Sequence, residues 1–75
     1  MENKIKRIIS SVFEVNEIDI NTSTKLSDLL TYDSLHLIDF ISAIEEEFNI
    51  SIDYEDMKEF DGFNQIVEVV NKNSK

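Results

Sequence analysis

The sequence predicts an all-α protein: a four-helix bundle, three longer helices plus one short helix, with a long loop between the first and second helices. Three observations predict it. The 75 residues include no proline and one glycine, Gly62, which disfavours a turn-rich sheet. Three separated segments place apolar residues at the offsets of one helical face. Hydrophobic residues make up 41% of the chain, enough for one small core. A bundle buries three such stripes, and a long first connection permits a crossover. The length fits a single domain over 1–75, one that buries only about 60% of the surface its unfolded chain exposes.

The first helix is expected from about Asn3 to Val15. Ile5, Ile8, Ile9, Val12 and Phe13 share one face, while Lys4, Lys6, Arg7, Ser10 and Ser11 occupy the rest. Residues 16–32 read as a long connection. Asp19, Asn21, Thr22, Ser23 and Thr24 are turn and cap residues. Leu26, Leu29 and Leu30 are expected to fold back onto the core, with a short turn near Ser27 and Asp28. A connection this long in so small a domain is often functional.

The second helix is expected from about Ser34 to Phe48, with Asp33 at its N-cap. Leu35, Ile38, Ile41, Ile44 and Phe48 trace its stripe, and Leu37 and Phe40 widen it. Glu45, Glu46 and Glu47 sit near its C-terminal end, where the helix dipole disfavours negative charge. Ile50-Ser51-Ile52 alternates too briefly for a strand. Residues 54–59 fit one or two helical turns. Asp61 is placed to cap a last helix from about Gly62 to Asn71, with Phe63, Ile66, Val67 and Val70 facing inward. Asn71 to Lys75 form a polar tail expected to fray.

The charge excludes whole classes of function. Sixteen acids against seven bases give a net charge of -9. Nucleic-acid binding needs a basic footprint, and an anionic membrane surface is disfavoured on the same sign argument. All of the net charge falls between Asp33 and Asp61, where ten acids face only Lys58. Either this is a solvated face that maintains solubility, or it is a docking surface for basic partners. The chain has no cysteine, so no disulfide and no cysteine-based metal site exists. The single histidine, His36, makes no multi-histidine metal site. No apolar run approaches a membrane span, and the first residues lack a signal peptide's apolar stretch. A cytoplasmic monomer is the expectation.

The stretch that carries chemistry is Asp33-Ser34-Leu35. It follows Ser27-Asp28-Leu29-Leu30 and precedes Glu45-Glu46-Glu47-Phe48. With the amphipathic first helix, the long loop and the final apolar helix, this order resembles the acyl carrier protein family over nearly the whole chain. The resemblance implies that Ser34 receives 4'-phosphopantetheine from coenzyme A through a separate, magnesium-dependent transferase, with Asp33 bordering the site. A helix N-terminus suits a phosphodiester, because its free N–H groups and dipole favour negative charge. The arm would bring the thiol that the chain itself lacks.

The resemblance also implies a recognition surface along the second helix for basic patches on acyl-transferring enzymes, at Leu35, Ile38, Asp39, Glu45 and Glu46. Leu35 and Ile38 fit plain core positions equally well. Leu26, Leu37, Ile44, Met57 and Phe60 fit either a lining for a sheltered acyl chain or ordinary packing. Two residues depart from the family pattern. Thr31 stands where glycine is usual. His36 stands where an acid is common, and is read as a solvent-exposed helix residue. Both leave room for a carrier dedicated to one pathway rather than the general fatty-acid carrier. The other readings are an aminoacyl or peptidyl carrier on the same arm, and an unmodified acidic helical interaction module. A small enzyme fares worst, since Ser34 has no paired base: His36 is two residues away on a helix, at a large angle.

Overall fold

The computed structural model describes residues 2–58 and 60–73, except for the side chain of Tyr54. It bears out the all-α architecture. The helices are α1 (Glu2–Phe13), α2 (Ser34–Phe48), α3 (Tyr54–Met57) and α4 (Phe63–Asn73). Two short 3₁₀ turns, Glu17–Asp19 and Leu26–Asp28, punctuate the loop between α1 and α2. Glu59, in the span expected to turn helically, lies outside the described residues, as do Ser74 and Lys75 of the tail. Helix α4 runs through Asn73, beyond the expected end at Asn71.

The core forms where the three longer helices turn their apolar stripes together. Ile5, Ile9 and Phe13 of α1, Phe40, Ile41 and Ile44 of α2, and Phe63, Ile66, Val69 and Val70 of α4 are buried. Ile20 and Leu26 from the loop, and Ile52 and Phe60 from the segments flanking α3, are buried in the same core.

Both α1 and α2 end on a residue in the left-handed region, Glu14 (φ 58°) and Asn49 (φ 54°). Beyond each, the next N–H returns to the last turn: Val15 N–H to the Ser10 carbonyl, and Ile50 N–H to the Glu45 carbonyl, both at 3.2 Å. These bonds satisfy carbonyls that a helix end otherwise leaves open. They stop α1 at Phe13 rather than at Val15. The glutamate at position 14 gave no glycine-like stop signal.

The long loop is tied down at its second half. Leu26 N–H donates to the Asp61 carbonyl and Phe63 N–H to the Thr24 carbonyl, both at 2.9 Å, pairing Lys25 with Gly62. Asp61 also accepts from the Ser27 N–H (2.9 Å) and the Ser27 hydroxyl (3.1 Å). Its carboxylate therefore anchors the loop instead of capping α4 as expected. Gly62 precedes α4 directly, its N–H held by Gln65 Oε1 at 3.0 Å.

Leu30 corrects a second expectation. Leu26 is buried and Leu29 packs against the core, but Leu30 is fully exposed. Leu30 lies in a turn closed by the Tyr32 N–H on the Leu29 carbonyl at 3.1 Å, and that turn points it away from the core while Leu29 packs inward.

Candidate functional site at the N-terminus of helix α2

The segment 31–36 is fastened at several points around Phe13, the last residue of α1. The Thr31 hydroxyl donates to the Phe13 carbonyl at 2.6 Å. The ring of Tyr32 stacks on the Phe13 ring (centroids 6.3 Å apart, planes 14° apart). The His36 ring stacks on it as well (5.9 Å, 23°). Phe13 is fully buried and also contacts Phe40 at 5.7 Å. Thr31 thus supplies a side-chain hydrogen bond that ties the loop to the end of α1.

Asp33 caps α2 as expected. Its backbone is extended (φ -160°, ψ 177°), and its Oδ1 accepts from the His36 N–H at 2.8 Å. The same oxygen lies 2.8 Å from His36 Nδ1. This contact assigns the Nδ1–H form of the ring as the donor. Donation from the His36 backbone N–H, and then from its ring, holds the Asp33 carboxyl below the usual carboxylate range. His36 is therefore half-buried and engaged, not a freely solvated helix residue.

Ser34 is the first residue of α2 and is exposed. Inside the helix, the first turn carries no acid, so the dipole there is opposed only by the capping Asp33. An exposed hydroxyl at the start of a 15-residue helix is a suitable attachment point for a phosphodiester-linked arm.

The other expected surface residues divide. Leu35 (74% exposed) and Ile38 (55%) stand on the surface rather than in the core, near exposed Asp39. Glu46 is exposed as well. Glu45 is half-buried, and its Oε2 accepts from the Ile52 N–H at 2.8 Å, pinning the chain that leaves α2. Sequence reasoning missed that Leu30 and Tyr32, which precede Ser34 in the chain, are exposed apolar residues. Leu30 carried a signal in its adjacency to Leu29; Tyr32 carried none. Of the residues considered for sheltering an acyl chain, Leu26, Ile44 and Phe60 are buried, and Leu37 and Met57 pack against the same core. Among the described residues no cluster of three or more His, Cys, Asp or Glu is placed to hold a metal ion. No helix among them is long and apolar enough to cross a membrane.

The fold is a small helical bundle that offers a capped, exposed serine between an aromatic anchor and an acidic helix. Residues 3–70 match the family model described as a phosphopantetheine attachment site. The acyl carrier protein of Buchnera aphidicola subsp. Schizaphis graminum is 35% identical over 75 residues, covering all of this chain and 95% of that one. That of Clostridium perfringens is 34% identical over 74 residues, covering 99% of this chain and 97% of that one. A chain in the solved structure of the ishigamide ketosynthase/chain length factor superposes with a TM-score of 0.74 at 27% identity, over 97% of this chain and 92% of that one. The chain belongs to the phosphopantetheine-attachment-site family of acyl carrier proteins. The cofactor of that family is 4'-phosphopantetheine, and the residues at the start of α2 fit it.

Proposed function

We propose that Ser34 is the residue that bears the 4'-phosphopantetheine arm, and that the chain presents acyl groups held on it as thioesters to enzymes of fatty acid, polyketide or related biosynthesis. The observation that carries this reading is the exposed Ser34 hydroxyl at the first position of a capped helix. The arm supplies a thiol, which the chain lacks. During loading, a bond forms between Ser34 Oγ and phosphorus as the pyrophosphate linkage of coenzyme A breaks. The hydroxyl proton leaves to base, and the adenosine bisphosphate half departs. The protein's own part is positional: Asp33 caps and orders the turn, and the helix dipole favours the anionic linkage.

The chain acts without catalysis of its own, as a cytoplasmic monomer. Its partners are a phosphopantetheinyl transferase and acyl-transferring enzymes with basic docking patches. Exposed Leu35, Ile38, Asp39 and Glu46 supply an apolar strip with an acidic edge, which suits such patches. Glu45 contributes charge there while serving the fold.

Because the chain has no cysteine, loading has a direct readout. Incubation with coenzyme A and a phosphopantetheinyl transferase, then removal of small molecules, is expected to introduce one titratable thiol per chain. The Ser34→Ala protein should gain none. A parent protein that gains no thiol would favour the unmodified interaction module instead.

A further inference from the structure

We propose that His36 is a positioning residue for loading: held on Phe13 and bonded to Asp33, it fixes the turn that presents Ser34. This inference rests on the assignment of Ser34 as the attachment residue.

Capping α2 needs only the His36 backbone N–H on Asp33 Oδ1. The ring Nδ1–H adds a second donor to the same oxygen, also at 2.8 Å. Two donors on one oxygen hold the carboxylate more firmly than the backbone bond alone. The imidazole is itself restrained by stacking on Phe13, and Phe13 is restrained by Phe40 within the core. On the other side of Ser34, Tyr32 stacks on the same Phe13 ring, and Thr31 bonds the Phe13 carbonyl. The serine thus stands between residues 32 and 36, both referred to one buried ring. A nucleophile held this way reaches its target with little reorganisation, and displacement of about 1 Å can cost on the order of a hundredfold in rate.

Two substitutions in the full-length protein separate positioning from plain stabilisation. His36→Phe keeps a ring against Phe13 and removes the bond to Asp33. His36→Asn keeps a donor near the place of Nδ1 and removes the ring. Steady-state loading with a phosphopantetheinyl transferase and coenzyme A is measured below the lower of the two unfolding midpoints. In His36→Phe, kcat is expected to fall on the order of tenfold with KM for the carrier within about twofold, while the unfolding midpoint stays near that of the parent. In His36→Asn, most of kcat is expected to return despite a lower midpoint. Rate and stability then rank the two variants in opposite order, which a purely structural role would not produce. Rates that follow the unfolding midpoints, or parental kcat in both variants, would overturn the proposal. A parent that accepts no arm would instead overturn the assignment of Ser34 and this inference with it.

Discussion

Replacing Glu45 with alanine separates an acid that holds the fold from one that only decorates it. Three adjacent glutamates end α2, and the helix dipole alone makes each mildly unfavourable, by about 0.3–1 kcal/mol at an exposed site. On that ground alanine at either Glu45 or Glu46 would stabilise the protein slightly. The structure reverses the sign for Glu45. Its carboxylate accepts from the N–H of Ile52, a residue only 8% exposed. Without it, a partly buried donor loses its partner, at a cost of about 1–3 kcal/mol. A domain of this length has roughly 4–11 kcal/mol of stability in total. Taking about 2 kcal/mol, the unfolding midpoint of Glu45→Ala should fall on the order of 10 °C. Glu46→Ala should stay within about 0.5 kcal/mol of the parent. Glu45→Gln retains an acceptor oxygen and should lose less than alanine does. Urea and thermal unfolding followed by circular dichroism measure all three. Equal stability for Glu45→Ala and Glu46→Ala would mean that the Glu45–Ile52 bond contributes nothing to the fold.

Three further outcomes are expected. Glu14→Gly relieves a side chain held at φ 58° and should raise stability by about 0.5–1 kcal/mol; a lowered midpoint in thermal unfolding would contradict this. Asp56 is buried and its carboxyl is held below the usual range, first by the hydrogen bond from Lys72 Nζ (2.6 Å) and then by Asn73. A carboxyl depressed in the folded state contributes stability that is complete above its unfolded pKa, about 4, and is lost as pH falls through the lower folded value. Asp56→Asn should therefore flatten the acid limb of the stability–pH curve below pH about 4, and an unchanged slope there would argue against this contact. Charge reversal at Asp39 and Glu46 should slow association with a basic partner enzyme at low ionic strength, and the difference should shrink at high salt; stopped-flow rates that do not change with these charges would remove the docking role.

Much of this site was legible in the chain because its determinants are local. Asp33 before an apolar run marks an N-cap, and the stripe from Leu35 to Phe48 marks the helix, so the bounds of α2 follow from neighbours in sequence. The turn at Ser27 and Asp28 was legible for the same reason. The contacts that hold the site are not local. Thr31 reaches Phe13 across 18 residues, and Ser27 reaches Asp61 across 34. No periodicity encodes which acid will bond a distant N–H, so Glu45 and Glu46 look alike in sequence and differ in the fold. The environment of His36 was hidden because its stacking partner lies on another helix. Asp61 looked like a cap because it precedes a helix, yet the loop claims its carboxylate. The end of α1 was obscured because a glutamate, not a glycine, takes the left-handed position.

The proposed tether for the arm is one serine hydroxyl at the start of α2. Intact mass spectrometry of the full-length protein, made in cells alongside a phosphopantetheinyl transferase, tests it most directly when fragmentation then locates the adduct. A single phosphopantetheine addition is expected, located on Ser34 and missing from Ser34→Ala. An unmodified parent, or an adduct on any other residue, would contradict it.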